Sequence, residues 1–166
     1  MAGRSDGVRT FVLAVMIASP LAAEDNATDT LEACLSAHDT MDAARADCTP
    51  LIVRDCLDSP DGATTVGMVG CFADSEANWD TLRRKLLERL VEAAKASDDF
   101  YTEQGEDGFA HGVESLTKAE TAWETWRDLE CISRADDNGN GSMRRIVAAS
   151  CRLDLVRDRV LQHWFR

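Results

Sequence analysis

Hydrophobic residues recur at helical spacing along most of the chain, and no stretch alternates apolar and polar residues for long enough to predict a strand. From about residue 66 to residue 101 the chain has no proline, and this segment has no glycine after Gly70. Its apolar side chains form one helical stripe, interrupted by Arg83, that contains Phe72, Trp79, Leu86, Leu90 and Ala93. This segment is predicted to be the long helix of an all-α fold.

Two short helices are predicted before the long one. Asp29 and Glu32 have the spacing of a capping pair, which predicts a helix over about residues 29–38. Thr49 precedes Pro50, a favoured residue for the first helical position, and this predicts a second helix over residues 50–57. The sequence Ser-Pro-Asp-Gly at residues 59–62 then predicts a turn.

Two further helices are predicted after the glycine-containing break at residues 103–108. Ser115 can cap the first, whose apolar face would carry Leu116, Ala119, Trp123, Trp126 and Leu129. Ser142 can cap the second, which continues to the C-terminal end through Ile146, Cys151, Leu155 and Val160. We therefore expect a small helical bundle in which the long helix packs on a C-terminal helical hairpin.

The first 23 residues have the three regions of a secretory signal peptide. Arg4 and Arg9 precede the apolar run at residues 11–18, and small residues follow at 19–23. The run is too short for a permanent membrane span, and no later segment is apolar enough to form one. The chain is thus predicted to be a signal peptide, residues 1–23, followed by one domain, residues 24–166, in the periplasm or secreted.

An exported chain with an even number of cysteines is expected to form disulfides. The six cysteines are Cys34, Cys48, Cys56, Cys71, Cys131 and Cys151. None forms a Cys-x-x-Cys pair, which argues against a zinc knuckle or a thioredoxin-type centre. The C-terminal hairpin should bring Cys131 to Cys151. For the first four cysteines we expect the local pairs Cys34–Cys48 and Cys56–Cys71, although short helices could exchange partners and leave this pairing open.

The chain is acidic, and its charge limits the partners it can bind. The formal net charge is −12, and removal of residues 1–23 takes away two arginines and one aspartate, which leaves −13. Such a protein is repelled by nucleic acid and by anionic lipid, and it is attracted to basic partners. The alternative interpretation is that the acidity only keeps the protein soluble.

One short segment resembles a calcium loop. Residues 136–141 read Asp-Asp-Asn-Gly-Asn-Gly, which fits the first six positions of an EF-hand. Position 12, however, is Val147 where a bidentate glutamate is needed, and Arg144 and Arg145 oppose a dication. Asp, Asn and Gly also favour ordinary turns. We expect a turn without a metal, and no cofactor elsewhere.

The sequence offers little support for catalysis. The three histidines, His38, His111 and His163, are scattered, and no Gly-x-Ser-x-Gly turn is present. Glu76 and Asp80 lie four residues apart, but on so acidic a chain a solvated helix face is the better interpretation. We therefore expect no enzyme. Trp79, Trp123 and Trp126 could stack on carbohydrate, although their helical spacing favours a place in the core.

Residues 116–131 contain a spaced set of residues that goes beyond an amphipathic pattern, namely Leu116, Ala119, Trp123, Arg127, Asp128 and Cys131. This set resembles the hallmark of the LprI-type lysozyme inhibitor family, small exported bacterial proteins, which reads Leu-x-x-Ala-Gln-x-x-Trp-x-x-x-Arg-Asp-x-x-Cys. Glu120 stands where glutamine is usual. The Gly-Ser turn, the second cysteine and the arginine that follow in the family correspond to Gly141-Ser142, Cys151 and Arg159.

The resemblance extends upstream and covers most of residues 34–159. Glu76, Trp79 and Asp80 fit the long-helix segment of the family. The chain then departs from the pattern at Arg83, Arg84 and Leu87, where leucine, asparagine and tyrosine are common.

The resemblance implies a helical domain of the cell envelope. Its motif residues are expected to be structural, with Trp79 and Trp123 in the core and Arg127 paired with Asp80, beside Asp128.

Two functions from different classes follow. The first is inhibition of a basic lysozyme, bound through the acidic connections at residues 58–70 or 103–111. The alternative is a general cell-envelope binding or structural module without lysozyme activity. The sequence indicates no oligomeric state.

Overall fold

The computed structural model describes residues 21–166, with side chains from residue 27 onward. The predicted signal peptide, residues 1–23, lies outside the described residues except for the backbone of the last three. The described part contains six α-helices, one short 3-10 helix at Asp107–Phe109 and no strand. The α-helices are α1 Leu21–Ser36, α2 Met41–Cys48, α3 Val53–Leu57, α4 Thr65–Glu103, α5 Gly112–Asp136 and α6 Met143–Trp164. The all-α prediction is confirmed.

The long helix is α4, and it packs along the hairpin that α5 and α6 form. Its start is fixed by Thr64, whose hydroxyl accepts a hydrogen bond from the Gly67 N–H at 2.9 Å. The shorter helices α1 and α3 contact α4, and α2 contacts α1 and α6. The predicted arrangement of one long helix on a C-terminal hairpin is therefore confirmed.

The N-terminal helices differ from their predicted bounds. A helix was not predicted at Met41–Cys48, where only Ala44 and Cys48 are buried and the apolar stripe is correspondingly weak. The sequence signal for the start of this helix is the N-cap residue Thr40, whose side chain accepts a hydrogen bond from the Ala43 N–H. The helix predicted over residues 50–57 begins only at Val53.

The beginning of α5 also differs, because its cap comes from another helix. The Asp98 carboxylate of α4 accepts hydrogen bonds from the N–H groups of Gly112 at 2.7 Å and Val113 at 3.0 Å. The helix therefore starts at Gly112 and not after Ser115. Ser142 does occupy the N-cap position of α6, but its side chain makes no cap hydrogen bond.

The core lies where α4 and α6 meet α1. Its fully buried large side chains include Trp79, Leu82, Leu153, Val156, Val160, Leu161, Leu31 and Leu35. The last buried side chain of α4 is Leu86, and the residues that follow it to Glu103 are half-buried or exposed. At 1.5 Å per residue, the 39 residues of α4 span roughly 58 Å. The outer end of α4 therefore extends beyond the core.

Three disulfides join neighbouring helices in the local pairing expected from the sequence. Cys34–Cys48 links α1 to α2, Cys56–Cys71 links α3 to α4, and Cys131–Cys151 links α5 to α6. None of the six cysteines is free. The fold is thus a helical bundle in which disulfides staple the α1–α2, α3–α4 and α5–α6 junctions.

The apolar face predicted for α5 is wrong in part. Trp126 is 47% exposed and Leu129 is 63% exposed, so neither belongs to the core. The residues that α5 buries are Glu120, Cys131 and Ala135. The buried face of α5 therefore differs from the predicted apolar face, because it includes the Glu120 carboxylate. A buried carboxylate requires charged partners.

Candidate functional site

The family-type motif on α5 lies at a cluster of cations around one indole ring. Trp123 packs at the edge of the core. The guanidinium carbons of Arg83, Arg127 and Arg159 lie 5.2, 5.4 and 5.5 Å from its ring centroid. At these distances each cation is attracted to the electron-rich ring. The Trp123 side chain is therefore both a packing residue and the centre of a charged cluster.

The Glu120 carboxylate balances these cations from inside the bundle. Its Oε2 accepts a hydrogen bond from Arg83 Nη1 at 3.1 Å, and its Oε1 accepts one from Arg159 Nε at 2.9 Å and another from Arg159 Nη2. His163 Nε2 lies 3.0 Å from the same Oε1. One carboxylate thus connects α4, α5 and α6.

The protonation states in this cluster follow from burial and charge. Burial disfavours the ionised form of Glu120, but the hydrogen bonds and charge of Arg159, with His163 and Arg83, hold its pKa below the ordinary value. Burial lowers the pKa of His163, and Arg159 and Arg166 lower it further against the attraction of Glu120. A neutral His163 can donate to the ionised carboxylate only as the Nε2–H tautomer.

Arg83 also donates hydrogen bonds to two further carboxylates, on the surface side of the cluster. Its Nε donates to Asp80 Oδ1 at 2.7 Å, and its Nη2 donates to Glu124 Oε1 at 2.7 Å. Burial alone would lower the pKa of Arg83, yet Asp80 and Glu124 raise it above the ordinary value. The role of Arg83 in binding these carboxylates was not predicted from the sequence. Its signal in the sequence was that Arg83 interrupts the apolar stripe of the long helix.

The expected pair between Arg127 and Asp80 is wrong. Asp80 is bound by Arg83 and, at 3.3 Å, by Arg84, both within one turn on the same helix. Arg127 instead lies against Trp123, and its Nη2 is 2.9 Å from Oδ1 of its neighbour Asp128. Because Asp80 forms its ion pairs with arginines of its own helix, the ion pair between α4 and α5 is made by Arg83 and Glu120.

Glu76 and Asp80 do not form the fully solvated face expected from the sequence, because both are partly buried. Burial raises the pKa of Glu76, and the charges of Arg127 and Arg152 act against this rise. Trp79, between them, is fully buried in the core as expected.

The calcium-like segment is a turn, as predicted from its sequence. Arg144 Nη2 lies 2.5 Å from Asp136 Oδ1, so the Arg144 guanidinium is already paired with the carboxylate at position 1 of the calcium-loop pattern. Among residues 21–166, one group has the spacing of metal ligands, and it consists of Cys34, His38 and Cys48. Its two sulfurs are joined in a disulfide and are not available as thiolates.

The first acidic connection, which joins α3 to α4, is short. The helix α4 begins at Thr65, so only residues 58–64 of the predicted loop 58–70 are outside a helix. Gly62 approaches the chain so closely that an added Cβ would lie 2.1 Å from the Cys56 carbonyl oxygen. The exposed carboxylates here are Asp58 and Asp61, and Asp55 is exposed on the preceding helix α3.

The second acidic connection joins α4 to α5 and contains the 3-10 helix Asp107–Phe109. Glu103, Glu106 and Asp107 are exposed in it. Phe109 is 71% exposed beside them. Both connections predicted as partner-binding segments are therefore accessible, but an exposed aromatic side chain occurs only in the second of these two.

No helix in residues 21–166 is both long and apolar enough to cross a membrane.

No curated protein and no solved structure matches the chain significantly. The family model described as "Lysozyme inhibitor LprI" matches residues 56–162, which is more than half of the chain and includes α4, α5 and the Glu120 cluster. That description is of inhibitors and not of enzymes. The chain therefore belongs to the LprI family of lysozyme inhibitors.

Proposed function

We propose that the protein is exported and that, in the periplasm or outside the cell, it binds and inhibits a basic lysozyme. The observation that carries this proposal is the family match over residues 56–162. The formal charge of −12 supports it, because an acidic chain is attracted to a basic enzyme and is repelled by nucleic acid. The three disulfides suit an oxidising compartment outside the cytoplasm.

Inhibition needs two contributions from the inhibitor. Charge attraction accelerates the encounter, and a fixed surface must then cover or enter the cleft of the enzyme. One of the two exposed connections at the ends of α4 can supply that surface. The Glu120 cluster has a different role in this proposal, since its charges are directed at one another inside the bundle and hold the three long helices in register.

The test is the loss of turbidity of a peptidoglycan suspension treated with a basic lysozyme. Purified residues 24–166, with the disulfides oxidised, should inhibit lysis at stoichiometric amounts. Inhibition should weaken when salt rises to about 0.15 M, where charges beyond roughly 8 Å are screened. An unrelated acidic protein of similar size serves as the control and should not inhibit. Undiminished lysis at both low and physiological salt would contradict the proposal.

A second candidate, a general cell-envelope binding module, is favoured by the outer face of α5. Thr117, Thr121 and Thr125 turn their hydroxyls to the carbonyl oxygens four residues earlier, which leaves their methyl groups facing outward. Trp126 and Leu129 extend the same exposed surface. Absence of lysozyme binding by the correctly oxidised protein would favour this function.

A further inference from the structure

We infer that lysozyme is contacted by the α4–α5 tip, defined as residues 98–111, with exposed aromatic rings as anchors and carboxylates around them. This inference deepens the proposed function and rests on it. The tip contains the last turn of α4, the 3-10 helix and the residues before α5. Its occupant is a basic protein surface.

The first observation is an aromatic cluster that the fold leaves uncovered. Phe100 is 57% exposed and Phe109 is 71% exposed. Tyr101 lies between them, with its ring centroid 5.6 Å from that of Phe100 and 5.8 Å from that of Phe109. Aromatic side chains dominate the energetic centres of protein interfaces, and a cluster of them at the surface indicates a binding site.

The second observation is the charge around these rings. The tip, residues 98–111, contains no lysine or arginine and five carboxylates. The five are Asp98, Asp99, Glu103, Glu106 and Asp107. Asp98 caps α5, but Asp99 and Glu103 lie in the last turns of α4, where the helix dipole favours cations. Helix stability therefore does not explain Asp99 and Glu103, whereas attraction of a basic partner does.

The third observation is that the tip is already ordered by its own hydrogen bonds. The Glu106 N–H donates to the Tyr101 carbonyl at 2.9 Å, and the Phe109 N–H donates to the Glu106 carbonyl at 2.9 Å. Asp98 fixes the first turn of α5 against α4 through its two backbone hydrogen bonds. A surface held in one conformation loses little entropy on binding, which favours tight association.

Two other exposed surfaces each lack one of these properties. The α3–α4 connection has Asp58 and Asp61 but no aromatic residue. The outer face of α5 has Trp126, but Lys118 lies in the same patch and would repel a basic partner. The tip combines exposed rings, unopposed negative charge and a fixed backbone, and it lies beyond the last buried residue of α4, Leu86.

The experiment measures the affinity of oxidised residues 24–166 for a basic lysozyme by calorimetry, together with inhibition of lysis. Phe109→Ala should raise Kd at least tenfold, since interface anchors of this type contribute that much or more. The triple variant Glu103→Gln, Glu106→Gln, Asp107→Asn should slow association and reduce its salt dependence. The matched controls are Val66→Ser, an exposed apolar residue elsewhere, and Asp55→Asn, Asp58→Asn, Asp61→Asn, with the same change in charge. Both controls should stay within about twofold of the wild type.

Each other outcome contradicts a specific part of the inference. Wild-type binding that the tip variants leave unchanged would overturn the tip and leave the proposed function standing. Loss of affinity in the controls instead would place the contact elsewhere. A self-association of the free protein that Phe109→Ala abolishes, with lysozyme binding intact, would assign the tip to a second copy. Absence of wild-type binding would overturn both proposals. The altered side chains are exposed, and unchanged thermal melting will establish that each variant is folded.

Discussion

Arg83 on α4 donates from Nη1 to Oε2 of Glu120 on α5 across 3.1 Å, and the two side chains are only 4% and 5% exposed. In the family pattern that the sequence resembles, leucine is common at the first position and glutamine is usual at the second, so both residues are departures from it. The structure joins the two departures in one buried ion pair. A buried cation that replaces an apolar residue requires a buried anion, and the second departure supplies it.

The first prediction tests this joint replacement. Glu120→Gln alone should destabilise the protein by about 3 kcal/mol, because it leaves the Arg83 and Arg159 charges without their shared anion. Arg83→Leu combined with Glu120→Gln should be less destabilised than the sum of the two single variants by at least about 1 kcal/mol. Urea unfolding of the four proteins measures the coupling. Additive effects would show that the pair is not energetically linked.

The second prediction concerns pH and His163. Its pKa in the folded protein is below the ordinary value of 6.5, so the unfolded chain binds the proton more readily. Stability should therefore fall as pH decreases through 6.5 toward the lower folded pKa. His163→Gln should show a smaller loss between about pH 7.5 and pH 5.5 than the wild type. Melting temperatures at both pH values measure it, and an equal loss would exclude His163 as the cause.

The third prediction concerns the cap that α4 provides for α5. Hydrogen bonds from the Val113 and Gly112 N–H groups hold the pKa of Asp98 below its ordinary value. Asp98→Ala should remove this cap and speed hydrogen exchange in the first turn of α5, while exchange near Trp79 stays unchanged. In the wild type the same protection should be lost as pH falls below 3.8 through the folded pKa. Asp99→Ala, one residue further on, is the control and should leave exchange in α5 unaltered.

The fourth prediction separates stability from binding. Replacing Cys131 and Cys151 together with serine should destabilise the protein by about 3 kcal/mol, because the unfolded chain gains freedom. The disulfide lies at the opposite end of α5 from the α4–α5 tip. Lysozyme inhibition below the melting transition should therefore be retained. A loss of inhibition in the folded double variant would show that the hairpin end contributes to the contact.

The fifth prediction is that calcium has no site at residues 136–141. Arg144 already occupies the Asp136 carboxylate, and Val147 cannot provide the bidentate ligand. Millimolar calcium should leave the melting temperature unchanged and give no saturable heat. A calcium-dependent rise in melting temperature that Asp136→Asn abolishes would contradict this.

The sequence allowed the large features to be predicted because they depend on local patterns. The length of α4 follows from the absence of proline and from its apolar stripe, and the Cys131–Cys151 pair follows from the hairpin. The start of α5 could not be found in this way, since its cap is supplied by Asp98, 14 residues earlier in sequence. Local propensity carries no information about such a distant partner.

The charged cluster was missed for a related reason. Apolar periodicity assigned Trp126 and Leu129 to the buried face of α5, but the carboxylate of Glu120 takes a buried position there. The ion pairs that make this arrangement stable join three helices, and their geometry depends on how the helices pack. Arg127 was assigned to Asp80 because both belong to the motif, whereas Asp80 is bound by Arg83 within its own helix and the contact between helices joins Arg83 to Glu120.

The early end of burial along α4 has an evolutionary consequence. Substitutions beyond Leu86 remove few core contacts, so most changes at the α4–α5 tip should be tolerated by the fold. Selection can then alter the shape and charge of the tip while the stapled base stays constant. Such a division between a conserved support and a variable end would let one scaffold follow changes in the enzyme that it opposes, or be redirected in the laboratory by randomising residues 103–109.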